Sequence, residues 1–417
     1  MSSAGLTRLA TGAHVLLPYF DECSANLGDG AKLFEDVVAL CQTAEAQDQP
    51  SHCRCTDPGA PCWPSGASWN QLNASVGGRL LVPDWAGFKR CFGSAASDLA
   101  GCASAVGKSR SNNFMNQLHA GLTESTGWQN GWDAAPSAYA VEAATVADIQ
   151  AAVRFAAAHD LRLVIKGTGH DYKGRSTAPD SLLIWTHLMR DISWRNDEIT
   201  VGAGTTWDEV YLSAQKRGRM VVGGGCTSVG AAGGFALGGG MATGWTRRYG
   251  TASENIVSVV LVTADGEVQT VDDRSDPDLI WALRGGGGGT FGVAVSITYK
   301  SHPFRDVKPG HTTASTINCP DPDSYQKVVA AFANVARENL INEHYGGIIS
   351  FQVEGGAWGY DEHRLKYGLS YYDRTNAQAF EDYRPLLEFM SSGEAKPCTW
   401  APVRLRCFLA LSRFVSR

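Results

Sequence analysis

Apolar residues recur at helical and strand spacings through most of the chain beyond residue 138, and this pattern predicts a mixed α+β organisation. Thr145 to Asp148 has the form of a capping box, and the apolar stripe behind it predicts a helix that ends near His159. A second amphipathic helix is predicted from Thr206 to Arg217. Short apolar runs predict buried strands at residues 161–165, 182–185, 199–202 and 220–222.

Helical and strand spacings of apolar residues continue toward the end of the chain. Ala264-Asp265-Gly266 is a hairpin signal between predicted strands, and Asp276-Pro277 predicts the start of a short helix. Past a predicted linker near residues 303–312, the pattern restarts as a second α+β unit. Residues 1 to about 130 show little periodicity and are predicted to be irregular. The remaining predicted strands lie at residues 256–263, 267–271, 292–299, 345–353 and 364–372, and a helix is predicted near 325–339.

Length and charge narrow the class of protein. A chain of 417 residues is long enough for about two domains. The formal net charge of −6 and the lack of a basic run argue against a nucleic-acid partner. The longest strongly apolar stretch, around residues 256–262, is far shorter than the roughly 20 residues of a membrane helix. We therefore predict a soluble globular protein without a membrane or nucleic-acid role.

Cysteine usage predicts an oxidising compartment. Beside the Cys62-Trp63-Pro64 segment, the clustered cysteines are typical of disulfides, and Asn73-Ala74-Ser75 is a glycosylation acceptor triplet. A zinc site from His52, Cys53, Cys55 and Cys62 is the alternative, although Cys-x-Cys lacks the paired Cys-x-x-Cys spacing of structural zinc sites. Residues 1–25 contain no clear signal peptide. The chain has eleven cysteines, of which seven lie in the first 102 residues: Cys23, Cys41, Cys53, Cys55, Cys62, Cys91 and Cys102.

Two glycine-rich loops each surround one nucleophilic side chain. The first runs from Lys166 to Ser176 around His170, and the second from Gly223 to Gly230 contains Cys226. Glycine allows a backbone to approach a ligand closely. The two loops together therefore predict a nitrogen and a sulfur nucleophile that bond to one electrophilic ring system.

Other glycine patterns are weaker. Gly287-x-Gly289-x-x-Gly292 has the letters of a dinucleotide fingerprint, but a predicted helix precedes it and a predicted strand follows it, which is the reverse of that fold. Residues 101–109 resemble a phosphate-binding loop with one residue too many. The chain contains neither a His-Glu-x-x-His metal motif nor a Gly-x-Ser-x-Gly elbow.

The ordered motifs resemble a known family. Residues from about 134 to 305 resemble the FAD-binding domain of the vanillyl-alcohol-oxidase superfamily, in particular its berberine-bridge-enzyme-like branch of fungal type. The resemblance implies an α+β chain, with a PCMH-type FAD-binding domain of two α/β subdomains at residues 131–305. It also implies a cysteine-containing region at 1–130 and a partial α+β substrate domain at 306–417. The matching stretches are Thr168 to Ser176, Gly225 to Gly234, Asp278 to Gly288 and Phe291-Gly292-Val293.

The resemblance implies FAD held by two covalent bonds. The histidine that matches His170 bonds the 8α-methyl carbon of the flavin, and the cysteine that matches Cys226 bonds its C6 atom. Imidazole and thiolate are suitable nucleophiles for an electron-poor ring. The remaining residues expected to contact the cofactor are Lys166, Gly167, Thr168, Gly169, Asp171, Tyr172, Ser176, Gly225, Thr227, Val229, Gly230, Gly233, Gly234, Gly240 and Val293.

The implied activity is hydride removal from a C–H bond beside oxygen or nitrogen of a small organic substrate, with electrons passed to O2. Val229 stands at a position where valine is associated with oxidases in this family. Tyr371 and Tyr372 are candidates for the base, although strand tyrosines are core residues more often than bases. The resemblance also implies a secreted protein, and we expect a monomer.

Two departures from the family pattern affect this expectation. Thr227 follows Cys226 where the family usually has proline. The chain ends at Arg417 without a counterpart of the family's closing segment, so that a truncated chain is expected. An inactive flavin-binding remnant is therefore the alternative function, and a nicotinamide dehydrogenase is a third.

Overall fold

The computed structural model describes residues 54–83, 120–121, 136–242, 244–304, 311–353, 363–400 and 406–407. The chain divides into two compact units. The first comprises residues 1–189, 261–269 and 289–295, and the second comprises residues 190–260, 270–288 and 296–417. Among the described residues, no helix combines the length and the apolar character needed to cross a bilayer.

The described α-helices, in chain order, are α1 (Gly66–Ser75), α2 (Val146–Ala158), α3 (Trp207–Gln215), α4 (Gly234–Leu237), α5 (Thr246–Tyr249), α6 (Pro277–Leu283), α7 (Pro322–Val335) and α8 (Asn376–Ser391). A π-helical turn, Ala336–Leu340, follows α7. The described strands are β1 (Leu80–Leu81), β2 (Tyr139–Glu142), β3 (Arg162–Lys166), β4 (Ser181–Trp185), β5 (Ile192–Arg195), β6 (Glu198–Gly202), β7 (Arg219–Met220), β8 (Ile256–Val262), β9 (Val268–Asp272), β10 (Val293–Lys300), β11 (His302–Pro303), β12 (His311–Cys319), β13 (Tyr345–Gln352), β14 (His363–Tyr371), β15 (Thr399–Trp400) and β16 (Arg406–Cys407).

The first unit contains a four-stranded sheet with the order β1-β2-β4-β3. Strands β2 and β3 both run parallel to β4, and every residue of β4 is buried, as expected for the centre of a parallel sheet. The register pairs Lys166, the last residue of β3, with Trp185. The first glycine-rich loop therefore leaves the sheet at its carboxyl edge, where ligands of α/β sheets usually bind.

Helix α2 begins where the capping box predicted. The Thr145 side chain accepts from the N–H of Asp148, and the Asp148 carboxylate accepts from the N–H of Thr145. Arg79 donates to the other oxygen of Asp148 at 2.6 Å. The prediction of this helix is confirmed, with its C-cap at His159.

The expectation of an irregular segment before residue 130 is wrong for α1. Trp69 of α1 is buried and stacks on Tyr139 with ring centroids 3.9 Å apart, which fixes the helix to the first unit. Cys55 and Cys62 form a disulfide, so the predicted disulfide chemistry is confirmed there and the zinc alternative is wrong for these two cysteines. His52, Cys53 and the loop at 101–109 lie outside the described residues.

A five-stranded sheet has the order β5-β6-β10-β8-β9. The hairpin predicted around Ala264-Asp265-Gly266 is confirmed, with Gly266 in the left-handed region at φ +80. Helix α6 starts on the predicted cap, because Asp276 accepts from the N–H of Leu279 and proline follows it. Strand β10 follows the glycine run that ends α6, which confirms the helix-before-strand order that argued against a dinucleotide fold.

The last sheet is antiparallel, with the order β13-β14-β12-β15 and with β16 beside β12. Alternate residues of β14 are buried against α7 and α8 in a core that includes Phe332, Leu365 and Tyr383. A disulfide joins Cys319 to Cys398. The predicted linker at 303–312 is wrong at its far end, because β12 begins at His311. The predicted domain boundaries at 130/131 and 305/306 stay a prediction.

Candidate functional site

The histidine loop is shaped by its own aspartate. Gly169 and Gly174 have φ values of +77 and +76, which an L side chain rarely adopts, so these two turns require glycine. Asp171 accepts from the N–H of Lys173 at 2.8 Å and from Nε of Arg175 at 2.7 Å. Asp171, expected to contact the cofactor, therefore holds the loop closed behind His170.

His170 is suited to act as a nucleophile. Its side chain is half-buried, and burial lowers the pKa of the imidazole to about 4. At neutral pH the ring is therefore uncharged, and one nitrogen keeps a lone pair for bond formation. This is the protonation state that attachment to an electrophilic carbon requires.

Lys166 is the buried first residue of the same loop. It is only 1% exposed, and burial lowers the pKa of its amine to about 7. Its Nζ donates to the carbonyl of Ala120 at 3.2 Å and lies 5.0 Å from the ring centroid of Trp185. Of the other residues expected to contact the cofactor in this unit, Thr168 and Val293 are buried, Ser176 is half-buried and Tyr172 is exposed.

The cysteine loop presents a free thiol. Cys226 is exposed and is not in a disulfide, and its Sγ lies 3.5 Å from Oγ of Ser228. Gly225 and Thr227 beside it are also exposed, and Val229 is half-buried. The N–H of Val229 donates to the carbonyl of Cys226 at 3.2 Å, which closes a tight turn around the thiol.

Two of the glycines around Cys226, one before it and one after it, are required by packing within the protein. A Cβ at Gly223 would lie 2.3 Å from the Trp207 ring and 2.6 Å from Oη of Tyr211. A Cβ at Gly240, where φ is +70, would lie 2.7 Å from the Phe235 ring. These positions are glycine because the protein itself packs there.

By contrast, a Cβ at Gly233 or Gly234 would meet no protein atom within 4 Å. Packing within the protein therefore does not explain these two glycines. The backbone at this point is accessible to a ligand.

The two tyrosine candidates have different surroundings. Tyr371 is a core residue whose hydroxyl donates to Oδ1 of Asn376 at 3.0 Å. Tyr372 packs on Met220 and stacks on Trp245 with centroids 4.3 Å apart, and burial raises the pKa of its phenol to about 12. The Tyr372 phenol is therefore protonated at neutral pH, and the Tyr371 hydroxyl is held by Asn376. Their role as base stays a prediction.

The predicted residues fall into two groups. The first unit contains the histidine loop and Val293, and the second contains the cysteine loop with Gly233, Gly234 and Gly240. Sequence reasoning missed the part that Trp207 and Tyr211 have in the cysteine loop. They lie four residues apart on one face of the helix predicted at residues 206–217, and this spacing is equally typical of ordinary core packing. The glycine pair at 223–224 was the available signal.

Comparisons with known proteins agree with the expected cofactor. The family model described as an FAD binding domain matches residues 137–272, a stretch that contains both loops. The FAD-linked oxidoreductase ZEB1 of Gibberella zeae is 39% identical over 276 residues, which is 60% of this chain and 47% of that protein. An uncharacterized FAD-linked oxidoreductase of Arthroderma benhamiae is 35% identical over 323 residues, which is 68% of this chain and 54% of that protein. The chain thus spans about half the length of these curated relatives.

Solved structures show the same architecture. The VAO-type flavoprotein MtVAO615 from Myceliophthora thermophila C1 matches with a TM-score of 0.69 and 27% identity, over 85% of this chain and 66% of that one. The Physcomitrella patens protein BBE-like 1 matches with a TM-score of 0.59 over 81% of this chain and 62% of that one. At 22% identity, the second similarity shows the fold alone.

Proposed function

We propose that this chain, which belongs to the vanillyl-alcohol-oxidase superfamily of PCMH-type flavoproteins, is an FAD-dependent oxidoreductase. The predicted α+β PCMH-type FAD-binding fold is confirmed. The observation that carries the proposal is the FAD-binding match at residues 137–272, which includes His170, Cys226 and the glycines between them. The substrate would be a small organic molecule with a C–H bond beside oxygen or nitrogen.

The residues present fit this cofactor. His170 is neutral and half-buried, and Cys226 is a free, exposed thiol. Gly233 and Gly234 leave the backbone open to close approach. FAD would be held by these residues, with covalent bonds at His170 and Cys226, and it would supply the two-electron chemistry of hydride acceptance.

This chain's own side chains would position and shield the site. Asp171 keeps the histidine loop folded through the bonds to Lys173 and Arg175. Val229 offers a small branched side chain three residues from the thiol, and we propose on this basis that O2 has access and that the protein is an oxidase.

Acid precipitation of the purified protein tests the attachment. We expect yellow colour in the wild-type pellet, some colour in each of the His170→Ala and Cys226→Ala variants, and none in the double variant. His159→Ala is the matched control, because His159 is a half-buried histidine in the same unit that ends α2. Colour retained by the double variant would show that the cofactor is attached covalently at a residue other than these two.

Anaerobic mixing with a panel of alcohols, sugars and amines tests the reaction. Bleaching of the flavin followed by H2O2 formation on adding air is the expected result for an oxidase. Bleaching that only an artificial electron acceptor reverses would indicate a dehydrogenase. A yellow protein that no substrate bleaches would favour the inactive flavin-binding alternative.

We also propose that the protein is secreted and monomeric. The disulfides Cys55–Cys62 and Cys319–Cys398 support an oxidising compartment. Recovery from the culture medium with both pairs oxidised, and elution as a monomer in size-exclusion chromatography, are the expected results. Retention inside the cell with reduced cysteines would contradict the first of these.

A further inference from the structure

The start of helix α3 is tied to the cysteine loop. The first N–H groups of a helix have no partner within the helix. Here the N–H of Trp207 donates to the carbonyl of Val229 at 3.0 Å, and the N–H of Asp208 donates to the carbonyl of Thr227 at 2.9 Å. Thr206 also pairs with Gly230 in an antiparallel bridge. These bonds fix the loop on the carboxyl side of Cys226.

The same helix fixes the loop on the other side. Tyr211 lies one turn beyond Trp207, and its Oη donates to the carbonyl of Gly224 at 2.7 Å. The rings of Trp207 and Tyr211 stack with centroids 5.7 Å apart, and Gly223 fits against them only because it lacks a side chain. Just Gly225 and Cys226 stand between the two anchored carbonyls, those of Gly224 and Thr227.

The Tyr211 hydroxyl is a permanent donor. Burial raises the pKa of this phenol well above its usual value, so it stays protonated at every physiological pH. Removing the hydroxyl while keeping the ring would release the Gly224 carbonyl without opening the aromatic packing. The span that holds Cys226 would then be fixed at one end only.

We propose that Tyr211 is a positioning residue that holds the Gly224 carbonyl and so directs Sγ of Cys226 for covalent attachment to the flavin. This inference rests on the proposed function. Attachment joins Sγ to a ring carbon and releases the S–H and C–H hydrogens as two protons with two electrons. O2, the electron acceptor of the proposed oxidase, takes up both electrons and both protons as H2O2.

The experiment isolates the cysteine bond in a His170→Ala background. The yield of flavin on the Cys226 peptide, measured by mass spectrometry as a function of time after induction, is compared with that of the His170→Ala/Tyr211→Phe protein. A lost hydrogen bond of ordinary strength predicts attachment about 3-fold to 10-fold slower. His170→Ala/Tyr299→Phe is the matched control. Tyr299 is also buried beside Trp207, with ring centroids 5.7 Å apart. Its hydroxyl, however, donates to the carbonyl of Ala231, which lies beyond the loop.

A second measurement separates position from thiol reactivity. The alkylation rate of Cys226 by iodoacetamide, in protein from a riboflavin-starved host, is expected to be equal in the Tyr211→Phe variant and its parent. Equal flavin yields in the His170→Ala and His170→Ala/Tyr211→Phe proteins would overturn the positioning role. So would a loss of equal size in the His170→Ala/Tyr299→Phe control, or a fall in the alkylation rate of Cys226 that matches the fall in flavin yield. A wild-type protein without flavin on Cys226 would instead refute the proposed attachment, and this role with it.

Discussion

Replacing Gly223 with alanine tests whether the glycines near Cys226 are required by the protein or by a ligand. The new Cβ would lie 2.3 and 2.5 Å from two carbons of the Trp207 ring and 2.6 Å from Oη of Tyr211. Trp207 is fully buried, so its ring has no free space to move into. Overpacking of this kind costs about 1–3 kcal/mol of unfolding free energy.

Gly234→Ala is the matched control. It is the first residue of α4, and a Cβ there would meet no protein atom within 4 Å. Alanine is favoured over glycine in a helix, so the free energy of unfolding should change by less than about 0.5 kcal/mol.

Thermal unfolding followed by circular dichroism measures the difference. For a unit of this size, 1 kcal/mol corresponds to about 2–4 °C, so Gly223→Ala should unfold about 2–12 °C below the Gly234→Ala protein. The amount of flavin that stays in the pellet after acid precipitation is a second measurement. We expect Gly234→Ala to lose flavin while its unfolding midpoint stays unchanged. Equal midpoints for the two variants would refute the packing argument for Gly223.

Further predictions concern pH and the disulfides. Burial lowers the pKa of His170 to about 4, below its unfolded value near 6.5, so its contribution to stability is present above pH 6.5 and is lost as the pH falls toward 4. In flavin-free protein, the midpoint of His170→Gln should therefore fall less than that of wild type between pH 7 and 4.5, and parallel curves would contradict this. Loss of Cys319–Cys398, which spans 79 residues, should cost about 2 kcal/mol more than loss of Cys55–Cys62, which spans 7, as measured by denaturant unfolding of the serine variants. Equal costs would contradict the loop-entropy argument.

Sequence patterns succeeded where a local interaction decides the structure. The helix start at Thr145 was predicted from a capping box, the start at Thr206 from amphipathic spacing, and the start at Asp276 from the proline that follows it. All three residues are the N-caps of their helices. The turn at Gly266 was predicted for a similar reason, since the local residue types favour its backbone conformation. His170 and Cys226 were proposed as nucleophiles because glycines around a reactive group are uncommon in core packing.

Elements without such a local signal were missed. Strand β12 was not predicted, since threonine, serine and asparagine fill many of its positions and hide the alternation. Helix α8 is rich in polar residues and contains Pro385, yet Tyr383 and Leu386 bury it against β14 and α7. Helix α1 is fixed by Trp69 stacking on a residue 70 positions away. Their stability comes from long-range contacts, which a local pattern does not record.

The sequence by itself determined the fold class and the FAD cofactor and led to the proposal of His170 and Cys226 as nucleophiles, because each depends on residue types in a fixed local order. Only the tertiary structure decided which glycines the protein itself needs and that Tyr211 donates to the cysteine loop. Those facts depend on atoms brought together from separate parts of the chain, as with Gly223 against Trp207. Burial decided the neutral state of His170 in the same way, since removing solvent from an imidazole lowers its pKa whatever its neighbours in sequence.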